Sequence, residues 1–359
     1  MDSIKTLDVG LMATGCSVRC RHCYASAKPR LKHPIGAALA EEILDTLQPL
    51  IGRAERTLVD IYYDLFDHPD APGMIRLLHG RNLYGYFQDV STNGRGLANR
   101  PDYRQFLKEM RGMGSECLAL TFHGLEENHD WFVRRNGAFK DLIFAAQTGR
   151  DAGLKLGLWV QANKRNVNEL PALADYLAER GLWIAPDVPF AIFSWGPAGY
   201  ALELESLRID SEDAAKLKAQ FKRGVLPRFR PERDWWKLAT EGEHREFHWG
   251  EAGYVRLVVW GDHEVSFDDA GKLPVGNLLR DDLDTVLKRH QECEARQPAW
   301  QVRAEIWQDG KSQRLIKLAQ EYGNREGAKM YGAGPAAMSI WLERQRQSTE
   351  GGAGKACDA

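Results

Sequence analysis

The chain has no run of 18 apolar residues, so a membrane-spanning helix is not expected. It also lacks a cationic leader with a short apolar core. Met1-Asp2-Ser3-Ile4-Lys5 passes straight into a strand-like segment, and no secretory signal is expected. Neither sign of charge is in surplus: 48 lysines and arginines against 50 acids leave a net charge of -2 over 359 residues. That balance argues against nucleic acid and membrane surfaces as partners. Cysteine is scarce, at six, and unevenly placed, which does not suit a disulfide framework. The expectation is a cytoplasmic protein, in whose reducing surroundings clustered thiols hold metal more often than they pair.

Three of those cysteines crowd into Thr14-Gly15-Cys16-Ser17-Val18-Arg19-Cys20-Arg21-His22-Cys23-Tyr24. Three thiols cannot pair among themselves, but with three and then two residues between them their sulfurs can converge on one small inorganic object. A closed iron-sulfur cubane takes four cysteines, so three leave one iron open to an outside ligand. An open metal position is a mark of chemistry rather than of structure. The competing reading is a zinc site made from Cys16, Cys20, Cys23 and His22. Zinc knuckles, however, usually use ligand doublets set far apart.

This C-x3-C-x2-C loop resembles the signature of the radical S-adenosylmethionine (radical SAM) enzymes. The resemblance implies one [4Fe-4S] cluster on Cys16, Cys20 and Cys23, with SAM chelating the open iron and cleaved reductively to a 5′-deoxyadenosyl radical. His22 and Tyr24, on either side of Cys23, are implied to lie at the SAM site. A flavodoxin or ferredoxin type electron donor is implied as well.

Strand-like runs at Thr6–Ala13, Arg56–Tyr63, Tyr84–Val90, Cys117–Phe122, Lys155–Val160 and Trp183–Val188 alternate with helical patterns. The helices are expected at Gly36–Leu50, Ala71–Leu78, Asp102–Met113, Ala138–Ala152 and Glu169–Arg180, with a further one at Asp210–Arg223. Strict alternation implies βαβ units and a parallel sheet. The fold class is α/β, a partial (β/α)6 TIM-like barrel over residues 1–225. Catalytic groups of such folds gather at the carboxyl ends of the strands, and the cysteine loop follows the first. With Cys16 so near Met1, no leader-binding domain is expected ahead of the barrel.

Further site residues follow from the resemblance. After the second strand the family places a glycine-glycine-glutamate-proline turn. Here the glycines are missing, and Asp64 of Tyr62-Tyr63-Asp64-Leu65 is the nearest acid to meet the SAM ammonium group. Asp64 reads equally well as a turn former. Ser91-Thr92-Asn93-Gly94 is similar to the family's turn near the SAM ribose and methionyl groups, which implicates Ser91 and Asn93. The stretch Leu118-Ala119-Leu120-Thr121-Phe122-His123-Gly124, with His129-Asp130 and Arg134-Arg135-Asn136-Gly137, resembles relatives bearing a C-terminal SPASM or twitch region. There Thr121 and Arg135 are implied to contact SAM, a guanidinium being suited to a carboxylate. A core-facing Thr121 and a solvated arginine pair are the alternatives. Gln161, at the end of the fifth strand, is a further implied contact.

Beyond the barrel, Arg228-Phe229-Arg230-Pro231-Glu232-Arg233-Asp234-Trp235-Trp236 reads as a lid or domain contact. A hairpin pattern at Gly253–Phe267, then Val275-Gly276-Asn277-Leu278 and a helix from Leu283, is similar to a small α+β twitch-like cap, expected over residues 226–345. The cysteines that would hold auxiliary clusters there are missing. Residues 346–359, with Cys357, read as a flexible tail. Cys117 reads as a core cysteine. Cys293 is a candidate hydrogen donor to a substrate radical, against the plainer reading of an inert helix cysteine.

The implied activity is hydrogen abstraction from a natural-product substrate, either a small molecule such as a sugar or nucleoside or a peptide. Without auxiliary clusters to take a second electron, a redox-neutral outcome is expected: epimerisation, rearrangement or elimination. The alternatives are a zinc-stabilised barrel or an inactive SAM-binding one. Anaerobic reconstitution should load about four irons per chain, and replacing Cys16, Cys20 and Cys23 together with alanine should abolish that uptake. Full iron content in the triple variant would remove the cluster assignment.

Overall fold

The computed structural model describes residues 4–23, 31–83, 89–183, 190–193, 204, 206–221, 230–231, 253–267, 271, 273–296 and 330–331. At the centre lies β1 (Ile4–Met12), where Leu7, Val9 and Leu11 on one face and Gly10 and Met12 on the other are all buried. A parallel strand covered on both faces needs such a near-continuous apolar sequence. It is followed by α1 (Ala37–Thr46), α2 (Gln48–Ile51), β2 (Ala54–Tyr62), a 3-10 turn at Leu65–Asp67 and α3 (Ala71–Gly80). Next come β3 (Asp89–Thr92), α4 (Arg95–Ala98), α5 (Tyr103–Gly112), β4 (Cys117–Phe122), α6 (Glu126–Val133) and α7 (Ala138–Asp151). The barrel part closes with β5 (Lys155–Gln161), α8 (Leu170–Glu179), β6 (Phe190–Phe193) and α9 (Ser211–Gln220).

Strands β3, β4, β5 and β6 form one parallel ladder, and β1 pairs in parallel with β2. Among the described residues the strands form two separate ladders, with none joining β2 to β3. Leu118, Leu120 and Phe122 of β4 and Leu156, Leu158 and Val160 of β5 enter the main apolar core with residues of α1, α3, α5, α7 and α8. The alternate residues, among them Thr121, Trp159 and Gln161, therefore line the opposite, inner face.

Two expected strands are displaced. The third reaches from Asp89 to Thr92 in its described part, so Ser91 and Thr92 belong to the strand and only Asn93-Gly94 makes the turn. The sixth is described at Phe190–Phe193, beyond the expected Trp183–Val188, of which residues 184–188 lie outside the described residues. The expected helices recur within a few residues, while α4 and α6 are short and carried no strong apolar period.

The C-terminal region contributes more than a separate cap. It contains a two-residue antiparallel pair, β7 (Arg230–Pro231) with β11 (Met330–Tyr331), then β8 (Tyr254–Val259), β9 (Glu264–Ser266), β10 (Pro274–Asn277) and α10 (Leu283–Arg296). The expected hairpin is present as β8 and β9, but β8 also pairs in parallel with β1, from Thr6 opposite Tyr254 to Leu11 opposite Val259. Asp8, 1% exposed on the inner face, sits opposite Arg256 and accepts from its Nη1 at 3.1 Å and from the Tyr254 hydroxyl. Arg256 also reaches the Tyr62 hydroxyl, so one guanidinium spans three strands. A one-residue slip of β8 would leave a buried carboxylate unpaired, which pins the register. The tail at 346–359 and the rest of the Arg228–Trp236 stretch lie outside the described residues.

Close backbone packing sets the strand-end turns. A Cβ on Gly96 in α4 would collide with the Phe66 carbonyl of the 3-10 turn. Backbone cannot yield as a side chain does, so Gly96→Ala should destabilise the chain by about 1–3 kcal/mol. The check is the denaturant midpoint of the metal-free protein.

Candidate active site at the strand ends

The cysteine loop leaves β1 and is tied on two sides. On one, Ser17 N donates to Asp67 Oδ2 at 2.8 Å and Arg95 Nη1 donates to Ser17 O at 2.9 Å. On the other, Arg21 N donates to Phe132 O at 2.8 Å and Arg19 N to Val133 O at 3.4 Å. Cys16 and Cys20 pack with Val18, Val133 and Ala138, and none of the three loop cysteines forms a disulfide among the described residues. The side-chain amide of Asn93 reaches Cys16 Sγ at 3.9 Å, Ser17 Oγ at 3.3 Å and Asp67 Oδ2 at 3.4 Å. Thus the first loop touches the turns after β2 and β3 and the end of α6.

Asp64 is 4% exposed, and its carboxylate faces the protein. Its oxygens accept from Phe66 N at 3.0 Å, Asn93 N at 2.7 Å and the Thr92 hydroxyl at 3.1 and 3.2 Å. These bonds give Asp64 the part of a turn former, the second of its two expected readings, joining the ends of β2 and β3. Burial, and then the charge of Asp67, push its carboxyl up to about 7 against the pull of its hydrogen-bond donors.

The fourth strand ends in an aromatic wall. His22 lies 4.5 Å from His123, centroid to centroid, and His123 stacks on Phe132 at 5.5 Å and on His129 at 5.3 Å. Burial, and then the charges of Arg135 and His22, hold His129 down to about 3, so that ring is neutral at physiological pH. Asp130 accepts from Gly137 N at 2.5 Å and Phe139 N at 2.8 Å, which starts α7. Arg135 pairs with Asp141 at 2.5 Å, while its Nε is buried without a partner. Gln161 Oε1 is likewise buried and unpartnered. Unsatisfied buried polar atoms of this kind are uncommon and point to a missing partner.

Thr121 and Ser91 occupy inner-face positions, Ser91 exposed, and Trp159 beside Thr121 in the register is 46% exposed. Cys117 lies on the same face, against Gly157. Cys293 does not join this group. It packs against the apolar core on the outer face of the sheet, in α10, so the hydrogen-donor assignment is withdrawn. Tyr24 lies outside the described residues.

No family model matches the chain. Over 218 residues, 59% of the chain, it is 25% identical to the Fe-coproporphyrin III synthase of Methanosarcina barkeri, covering 50% of that protein. Over 293 residues, 79% of the chain, it is 22% identical to the sporulation killing factor maturation protein SkfB of Bacillus subtilis, covering 65% of that protein. Among solved structures, SuiB of Streptococcus suis bound to S-adenosylmethionine superposes with a TM-score of 0.54 at 13% identity, over 79% of this chain and 66% of that one. The chain is related to the radical SAM enzymes. It spans about half to two thirds of the length of these curated relatives.

The residues present fit the cluster of a radical SAM protein. Burial, and then the charge of Cys23, push Cys20 up to about 12, and burial also raises Cys16, so both are protonated thiols without metal and lose protons on binding it. Among the described residues no three thiol, imidazole or carboxylate groups converge closely enough to hold a single ion. A zinc site needs that convergence, whereas in a cubane each thiolate takes its own iron. His22 is turned into the aromatic wall, against His123 and Phe132.

Sequence reasoning missed Asp67, Ser17, Arg95 and Asp141. Asp67 had a signal, as the second acid of an Asp-x-x-Asp stretch; the other three are ordinary residues whose roles depend on distant partners. The raised Asp64 carboxyl gives a pH test. Between its ordinary value of 3.8 and about 7 the folded chain holds a proton that the unfolded chain releases, so stability falls as pH rises through that window. In thermal melts of the metal-free protein, Asp64→Asn should gain on the parent from pH 5 up to about pH 7 and level off above it. A difference that does not change with pH would refute the raised carboxyl.

Proposed function

We propose that the chain is a radical SAM enzyme that abstracts hydrogen from a natural-product substrate, a peptide or a small molecule. The observation that carries this reading is the trio of cysteines on one loop, held to the turns after β2 and β3 and to the end of α6. Bound there, a [4Fe-4S] cluster would supply the electron that cleaves SAM to the 5′-deoxyadenosyl radical. Arg135 offers its buried Nε to the SAM carboxylate, and Gln161 offers its unpartnered Oε1 to a SAM donor. Asn93 positions the loop through Cys16 and Ser17. Ser91, Thr121 and Trp159 line the inner face on which SAM and substrate would lie.

SkfB is named as a maturation protein, and SuiB has been solved with the precursor peptide SuiA, which favours a peptide. The name of the Methanosarcina relative keeps a small molecule in play. Beyond residue 225 the sequence holds only Cys293 and Cys357. That is too few thiols for an auxiliary cubane. We therefore favour a redox-neutral outcome: epimerisation, rearrangement or elimination.

Anaerobically reconstituted protein given dithionite and SAM should form 5′-deoxyadenosine. Arg135→Ala should weaken SAM binding by about 1.5–3 kcal/mol, the cost of one charged contact. Iron loading without any cleavage would leave only the inactive SAM-binding barrel.

A further inference from the structure

Beside the cysteine loop lies a group of arginines without carboxylate partners. Arg21, between Cys20 and Cys23, sets its guanidinium 4.1 Å from the centre of the Trp131 ring and donates from Nε to Trp131 O at 3.0 Å. Arg165, in the turn after β5, lies 4.3 Å from the same ring and is held by Asn128 Oδ1 at 3.1 Å. Arg134 caps α6 in the left-handed region, with φ 58°, and is exposed; Arg19 is exposed as well. Among the described residues none of the four makes an ion pair, and Glu127, a turn before Trp131, makes none with them. Burial, and then the charges of Arg134 and Arg165, lower Arg21 from the usual arginine range, as expected of like charges held together.

Two guanidiniums share one indole, and the exposed Arg134 and Arg19 are tied through their backbone N–H groups to Trp131 O and Val133 O beside it. Gathering like charge in this way is unfavourable in the free protein, and a partner of opposite charge would relieve it. Arginine and tryptophan are also the side chains that dominate binding at interface centres. Nucleic acid is the weaker candidate, because the chain as a whole carries a net charge of -2 and the patch is small. Position separates the candidates further. Arg19 and Arg21 are the sequence neighbours of Cys20, so whatever docks here comes close to a cluster ligand.

We propose that Arg21 and Arg165 on the Trp131 ring, with the exposed Arg19 and Arg134 of the adjoining turns, form the docking face for an acidic one-electron donor protein of flavodoxin type. This rests on the radical SAM reading, in which each reductive cleavage needs one electron from outside. The donor loses one electron, and the cluster held by Cys16, Cys20 and Cys23 gains it. Carboxylates on the donor would meet the guanidiniums, steering the encounter and fixing its orientation.

The test uses reconstituted full-length protein and a purified acidic bacterial flavodoxin. The paired variant Arg134→Glu with Arg165→Glu leaves the cysteine loop untouched. It should weaken flavodoxin binding roughly tenfold or more at low salt and slow flavodoxin-driven 5′-deoxyadenosine formation to match, because close charge pairs across an interface are worth that much. Cleavage driven by dithionite, which needs no docking, should stay at the parent level. The paired lysine variant keeps the charge and should keep salt-sensitive binding. Equal flavodoxin binding by parent and glutamate variant would overturn the proposal, as would binding indifferent to salt, or RNA held at the patch that flavodoxin fails to displace. Absence of dithionite-driven cleavage in the parent would refute the radical reading instead, and the binding measurements would still decide the docking face.

Discussion

The buried carboxylate of Asp64 is the constraint on which the site depends. It bonds to the 3-10 turn after β2 and to the backbone and hydroxyl at the end of β3, so two strand ends are joined through one side chain. That junction places Asp67 and Asn93, and these two in turn hold Ser17 of the cysteine loop. Gly96 presses α4 against the same turn and leaves it no room to move. Three loops are thus set by buried and half-buried hydrogen bonds, where polar groups are largely satisfied within the protein and geometry is correspondingly strict.

A second buried charge organises the other side of the sheet. Asp8 and Arg256 meet on the inner face and draw β8, more than 240 residues away in the chain, onto β1. The C-terminal region therefore contributes to the barrel sheet itself as well as extending from it. Tyr254 and Tyr62, which share this pair, bring a hydroxyl-rich floor to the inner face. A substrate bound above them would contact residues from both ends of the chain.

Much of this was legible in the residues. The thiol spacing named the cluster, strict alternation of strand and helix named the parallel sheet, and the hairpin and its helix were readable from turn residues and periodicity. Where sequence left two readings, packing adds what residue type cannot: Asp64 is buried among donors, and Cys293 packs against the outer core. Asp67 and Asp141 gave little sign, because a carboxylate does not show in sequence which amide or guanidinium it will meet.

The sequence by itself determined the chemistry that the chain can carry: three thiols with one ligand short, a parallel α/β sheet, and too few cysteines for a second cubane. These depend on residue type and local spacing, which a linear pattern records. Tertiary structure alone decided which acid is buried, which face each side chain occupies, that β8 joins β1, and that Arg21 and Arg165 meet on one indole. Each of those depends on contacts between distant segments, where desolvation and packing choose among residues that look alike along the chain.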